Sequence, residues 1–344
     1  MKKLVEGSRI IKTGVAIFLT ALICEWLGWP AVFAVITAIV TVEPTISDSI
    51  KKGMVRFPAS AIGSAYAVTF ISLFGNSPIT YTLAAVLTIA TCYKLNLHAG
   101  LLVATLTSVA MIEVVHEHFF IAFLIRLGTT TIGLAVSTVV NMFVLPPDYR
   151  AEISEQMKKI TKQFANVLNG LTVEATKDIT SSQTACKATL LKLDKELQTL
   201  DTLVGYEKSD SNYRRHRRHA QEKLQRIEKQ AALLRKMHGE LHQLAQHSHD
   251  GLTWTGEEKE VIQAIVSELA ALFLNQQPFD KQKYEENKSL ITNYIWGRMV
   301  KNKPDQPSDL PAKFTFFYEL FSFHHLAGEF FELEHFEDRS KEFG

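Results

Sequence analysis

The feature that most restricts what this chain can fold into is the uneven placement of its charges. Up to Pro147 there are 9 basic and 6 acidic side chains, whereas Asp148 to Gly344 holds 28 and 30. A near-neutral total of +1 hides the contrast. So few charges, set among apolar stretches of roughly the length a bilayer needs, predict a membrane domain at 1–147 joined to a polar, cytosolic helical domain at 148–344. The pattern excludes a plain soluble enzyme, a secreted disulfide scaffold and a disordered tail. Cys24 and Cys92 lie in apolar runs and Cys186 in a polar one, with no spacing that suggests a metal site or a disulfide framework. Lys2 and Lys3 precede an apolar run as in a secretory signal, but a second apolar segment follows at once from Trp29, so the run reads as a retained helix.

Six apolar segments are expected: Thr13 to Leu27, Trp29 to Thr45, Phe57 to Phe74, Pro78 to Tyr93, Ala99 to Val115 and Phe119 to Leu145. Prolines mark their edges, with Pro30, Pro58 and Pro78 opening segments and Pro44 and Pro146-Pro147 closing them. Lys2, Lys3, Arg9 and Lys12 flank the first segment, Lys51, Lys52 and Arg56 occupy the loop after the second, and Lys94 follows the fourth. The alternate loops lack Lys and Arg. The positive-inside rule then gives a multi-pass protein of the cell membrane with both termini cytosolic. Glu25, beside Trp26 and Trp29, reads as part of an interfacial aromatic belt.

A shift of 70 positions superposes Thr37 on Thr107, Glu43 on Glu113, Arg56 on Arg126 and Gly63 on Gly133. Three helices per unit would force the second unit to enter the membrane upside down, as in transporters built from inverted repeats. The expected fold is therefore all-α: six transmembrane helices in two inverted three-helix repeats, then a cytosolic bundle. In the sixth segment Arg126, Thr130, Gly133, Ser137 and Asn141 form one stripe, and Arg56, Ser60, Gly63 and Ala67 form its counterpart in the third. The small residues fit helix packing as well as a pathway. Arg126 lies about two turns inside its run, where a guanidinium is costly unless it meets a carboxylate, a carbonyl or water. It reads as an anion site, or else as the partner of Glu113 or Glu117. Glu43 and Glu113 read equally as proton-coupling carboxylates and as permanent partners of Arg56 and Arg126.

The run Val42-Glu43-Pro44-Thr45, followed by Ser49, Gly53, Arg56 and a small-residue stretch to Gly63, resembles the membrane module of the aromatic acid exporter and fusaric acid resistance superfamily. The chain looks most like the short bacterial aromatic acid exporter type, with plant aluminium-activated malate channels as distant relatives. The resemblance is close over about residues 1 to 147 and afterwards only in helical character. Ala59-Ser60, preceded by Pro58, departs from the Gly-Thr frequent there. The resemblance implies efflux of aromatic or other organic acids, and the larger members with two modules imply a homodimer. Neither substrate nor direction follows from composition or spacing.

After Asp148 long polar helices are expected. Leu224, Ile227, Ala231, Leu234, His238, Leu241 and Ala245 make a coiled-coil-like seam, offered as a dimer contact or as internal packing. Thr255 to Glu258 fits a capping box before a helix at Val261 to Leu274. The prolines between Lys303 and Pro311 read as a linker, and Phe314, Phe317, Phe321 and Phe331 as bundle core or, more sharply, an aromatic-ligand pocket. His238 and His242, with His247 and His249 nearby, do not match a zinc-protease pattern, so no metal is assigned. The basic run Arg214 to His219 reads as a solvated helix start or a lipid-headgroup contact, not a nucleic-acid site. Without a phosphate-binding loop or a nucleophile motif, no enzyme activity and no cofactor are expected. The leading function is export of organic anions, with Arg56, Arg126, Thr130, Ser137 and Asn141 binding substrate and Glu43 and Glu113 carrying protons. A passive anion channel and a membrane-anchored scaffold or sensor are the alternatives.

Overall fold

A computed structural model describes residues 2–114, 119–145, 148–174, 179–211, 213, 217–247, 254–296 and 312–342. Among the described residues all regular structure is helical, in twelve α-helices. They are α1 Lys2–Trp26, α2 Ala31–Thr41, α3 Ile46–Phe74, α4 Pro78–Lys94, α5 His98–Val114, α6 Phe119–Phe143, α7 Arg150–Glu174, α8 Ile179–Ser211, α9 Arg217–His247, α10 Gly256–Phe273, α11 Lys281–Tyr294 and α12 Ala312–Glu342. The chain divides into two compact units: Met1–Asp148 with Lys208–Arg217, and Tyr149–Glu207 with Arg218–Gly344.

In the first unit, Gly7–Trp26, Ile46–Phe74 and Phe119–Phe143 are long and apolar enough to cross a membrane, while Ala31–Thr41 and His98–Glu113 are shorter apolar helices. The expected start of the third segment at Phe57 is wrong. Helix α3 begins at Ile46, so Lys51, Lys52 and Arg56 stand on a helix, not in a loop, and Pro58 lies inside it. Two local forces move the boundary. The Thr45 side chain caps the helix by accepting from the Asp48 N–H at 3.0 Å, and Asp48 places negative charge in the first turn. Glu43 offsets the positive charges by pairing with both Lys52 and Arg56. Helix α2 is correspondingly short and ends before Val42.

Helix contacts in this unit come in matched pairs. Helix α3 packs on α5 and α6 on α2; α1 touches α2 and α6, as α4 touches α5 and α3. At Gly63 an added methyl would lie 2.6 Å from the Ala104 carbonyl oxygen, and at Gly133, 70 positions on, it would collide with the carbonyl of Ala34, itself 70 positions before Ala104. Only glycine allows such backbone approach. Helices α3 and α6 cross antiparallel, because Ser49 near the start of α3 bonds Asn141 near the end of α6 while Ser60 farther along meets Thr130.

The second unit closes around an apolar core to which α7 through α12 all contribute. Phe164, Phe273 and Phe323 meet edge to face with centroids 5.9 to 6.1 Å apart, the geometry aromatic quadrupoles favour. Phe317 and Phe331 belong to this core, while Phe314 and Phe321 are partly buried. The seam of α9 is consumed here too: Leu224, Ala231, Leu234, Leu241 and Ala245 are buried among residues of the same chain. Of the two expected roles, internal packing is the one that these buried side chains fill. The capping box before α10 forms as expected, with Thr255 and Glu258 exchanging side-chain and backbone bonds. Glu258 also accepts from Tyr294 at 2.6 Å and Lys313 at 2.9 Å, tying α10 to α11 and α12. The Lys303–Pro311 linker lies outside the described residues.

Candidate functional site

The polar stripes of α3 and α6 meet where the helices cross. Ser60 and Thr130 share a hydrogen bond of 3.3 Å, and both are fully buried. One turn back along α6, Arg126 is only 2% exposed and its Nη1 donates to Thr130 Oγ1 at 2.7 Å. Its guanidinium lies over the Phe33 ring, 4.7 Å from the centroid. The other face of the fork is unused: Nε and Nη2 are buried with no hydrogen-bond acceptor among the described residues. Those two nitrogens carry the parallel N–H groups with which a guanidinium grips both oxygens of one carboxylate. Of the two expected structural partners, Glu113 does not occupy the fork. Glu113 sits exposed and accepts from the Tyr81 hydroxyl instead, and Glu117 falls outside the described residues.

Arg56, the position matching Arg126, has a different environment. Its Nη2 donates to Glu43 Oε1 at 2.7 Å and its Nε to the Ala99 carbonyl at 3.3 Å. Both charged side chains are nearly buried, at 7% and 11% exposure, and Lys52 closes on the second Glu43 oxygen at 2.9 Å. One carboxylate thus holds two cations.

Asn141 and Ser137 finish the stripe in distinct ways. Ser137 bonds back to the Gly133 carbonyl at 2.6 Å, a local contact that satisfies its hydroxyl within α6. Asn141 is a junction: Nδ2 donates to the Glu43 and Thr45 carbonyls and to Ser49 Oγ at 3.1, 3.2 and 2.9 Å, while Oδ1 accepts from Lys12 at 3.1 Å. Lys12 is buried, 6% exposed, although the sequence presents it only as a flanking charge. Its position about one turn past Arg9 on the same helix, directly in front of an apolar run, is the signal that could have raised it. Arg126, Thr130 and Ser60 therefore converge, Arg56 and Glu43 form a separate pair, Asn141 joins a third cluster, and Glu113 stands apart.

In the second unit, among the described residues, no group of three or more His, Cys, Asp or Glu side chains could hold an ion. His238 lies 3.5 Å from Asp194, and burial pushes its imidazole below the ordinary range although Asp194 pulls it back. The side chains of His247 and of Arg214 to His219, and all of His249, are outside what is described.

Residues 4–144 match the family described as aromatic acid exporter family member 1. Over nearly its whole length the chain is similar to a UPF0421 protein of Oceanobacillus iheyensis, 43% identical across 94% of this chain and 95% of that protein. A UPF0421 protein of Bacillus thuringiensis subsp. konkukian is 40% identical over 98% of this chain and 95% of its own. One from Staphylococcus epidermidis is 42% identical over 61% of this chain and 64% of its own.

Proposed function

Because the chain belongs to the aromatic acid exporter family, and is similar over nearly its whole length to a UPF0421 protein, we propose that it carries small organic carboxylates out across the cell membrane and that Arg126 grips each one. The observation behind this reading is the unused side of the Arg126 fork. A buried cation with two idle, parallel donors costs the fold free energy unless an acceptor visits. A carboxylate is the acceptor whose two oxygens match their spacing. Phe33 beneath the guanidinium supplies an apolar wall for the remainder of an aromatic acid, and Thr130 fixes the arginine's orientation. Ser137 and Asn141 extend the same stripe toward the end of α6.

The paired helix contacts support two inverted three-helix repeats. Exchanged partners at Gly63 and Gly133, and a hydrogen bond between positions 70 apart, are what a two-fold relation between the halves produces. On this reading, with three helices in each half, the axis lies in the membrane plane, and the Lys and Arg bias of the loops supports cytosolic termini. The repeat mates have diverged in role on this reading. Arg126 is the resident anion receptor, and Arg56 joins in when a proton on Glu43 releases it, which couples the outward movement of anions to inward movement of protons. Glu113, held by Tyr81, is a second proton carrier nearer the opposite face. Six spans, cytosolic termini and a homodimer through a surface other than the α9 seam complete the proposal.

The test is efflux from proteoliposomes loaded with benzoate, 4-hydroxybenzoate or malate, with and without an imposed pH gradient. Parent protein should move at least one aromatic acid uphill, and collapse of the gradient should stop it. Arg126→Glu should move none per folded molecule. Unchanged flux in well-folded Arg126→Glu protein overturns the anion-site assignment, and large flux that ignores the gradient replaces the exporter by a channel.

A further inference from the structure

We infer that Asp210 is a releasable carboxylate latch that holds shut the end of the membrane unit where α3 begins and α6 finishes; its effect on flux rests on the transport reading above. Asp210 belongs to Lys208–Arg217, the stretch that clusters with the first unit although it lies far away in sequence. It is 1% exposed, and its Oδ1 accepts the backbone N–H of Ser47 at 3.2 Å. Ser47 is in the first turn of α3, where backbone N–H groups have no partner inside the helix and the helix dipole is positive. The Thr45 hydroxyl takes care of Asp48, and Asp210 takes care of Ser47. The two caps come from different parts of the chain.

The carboxylate also answers a buried cation. Lys12 of α1 feels the Asp210 charge, and its ammonium donates to Asn141 of α6. Asn141 in turn binds the Glu43 and Thr45 carbonyls and Ser49. Four separate pieces of chain are thereby tied together: α1, the link from α2 to α3, the end of α6 and the end of α8. Lys12 and the α3 dipole supply positive charge to this knot, and Asp210 supplies the negative charge that lets it stay buried. Withdrawing one partner from such a buried arrangement leaves the other charge uncompensated, which drives water inward. A two-position device follows, with Asp210 seated and the end closed, or Asp210 withdrawn and the end wet. The rest of its helix, Ile179–Glu207, belongs to the second unit, so the latch is covalently continuous with the polar part of the chain.

The experiment reads accessibility and does not depend on knowing the substrate. The full chain carries Ser47→Cys in a background of Cys24→Ala, Cys92→Ala and Cys186→Ser, and is reconstituted and treated with a polyethylene-glycol maleimide. Ser47 is 3% exposed, so labelling in the parent should be slow. Asp210→Asn keeps the shape and the accepting oxygen but removes the charge; it should speed labelling about tenfold, as expected when one charge-assisted contact is lost. Lys12→Met should do the same, the double variant should add little to either, and Asp210→Glu should stay near the parent. Labelling of monodisperse Asp210→Asn at close to the parent rate overturns the latch. If that variant is not monodisperse, the same comparison on Lys12→Met decides. Benzoate efflux from the same vesicles separates the two ideas. No efflux from the parent sinks the transport reading while leaving the labelling result in force, and unchanged labelling sinks the latch whatever the efflux.

Discussion

Replacing Arg126 by Met should make the protein more stable while removing its grip on carboxylates. The parent buries two guanidinium donors, Nε and Nη2, without acceptors among the described residues, at a cost of about 2 kcal/mol each. Substitution gives up the Nη1 contact to Thr130, about 2 kcal/mol for a charged donor, and the position over Phe33, about 1 kcal/mol. Thr130 keeps its bond to the Arg126 carbonyl, so its hydroxyl is not stranded. The balance is a gain of about 1 kcal/mol from these figures. Arg56→Met should have the opposite sign. It strands Glu43 beside Lys52 alone after removing a nearly buried ion pair of 2.7 Å, with an expected loss of about 3 kcal/mol. Thermal unfolding of purified protein in detergent, with and without benzoate, distinguishes the two. Arg126→Met should unfold no earlier than the parent and lose the benzoate-induced rise, and Arg56→Met should unfold clearly earlier. If Arg126→Met is destabilised as much as Arg56→Met, then Arg126 is a structural cation and the argument from its idle donors fails.

Gly133→Val and Gly63→Val should each sharply reduce folded yield in size-exclusion profiles, because the new side chain meets the Ala34 or Ala104 carbonyl and backbone cannot step aside. Burial raises the Glu258 carboxyl, but hydrogen bonds from Lys313, Tyr294 and the Thr255 N–H together with the Lys313 charge outweigh it and bring its pKa to about 2. Glu258 thus stabilises the folded chain above its unfolded pKa, and this contribution should fade as pH falls from about 4.5 toward 2; acid-unfolding curves of Glu258→Gln should lack that loss. Glu319 is the reverse case, its pKa raised to about 7 by burial and by the hydrogen bond and charge of Glu240. Its favourable term is complete below the unfolded pKa and disappears as pH rises through about 7, so Glu319→Gln should show a flatter stability profile between about pH 5 and 8.

The start of α4 and the end of α6 were legible almost to the residue, since Pro78 suits a first turn and Pro146-Pro147 halts a helix. The start of α3 was not. Three basic side chains between Lys51 and Arg56 look like a loop to any rule that reads charge as solvent exposure, and only Glu43, brought back across the α2 to α3 link, neutralises two of them. Arg126 could be singled out because depth in an apolar run is a local property. The absence of a carboxylate partner among the described residues could not, because that depends on Glu113 turning toward Tyr81 on another helix. The α9 seam is recognisable as apolar from its spacing, yet periodicity does not say which helices cover it. Asp210 gives no signal at all: an acidic residue near the end of a polar helix is ordinary, and its meaning comes from a partner 163 positions away.

Pro58 divides the work of α3. Proline has no N–H, so the bond back to the Met54 carbonyl is missing and the helix bends most easily there. Before this joint, α3 answers to Glu43, Asn141 and Asp210; beyond it, to Ala104 and Thr130. A change of angle at Pro58 would move the first set of contacts relative to the second. Whatever loosens the first half of α3 need not disturb the bond between Arg126 and Thr130, so the contacts at the two ends of one continuous helix can be altered by separate substitutions.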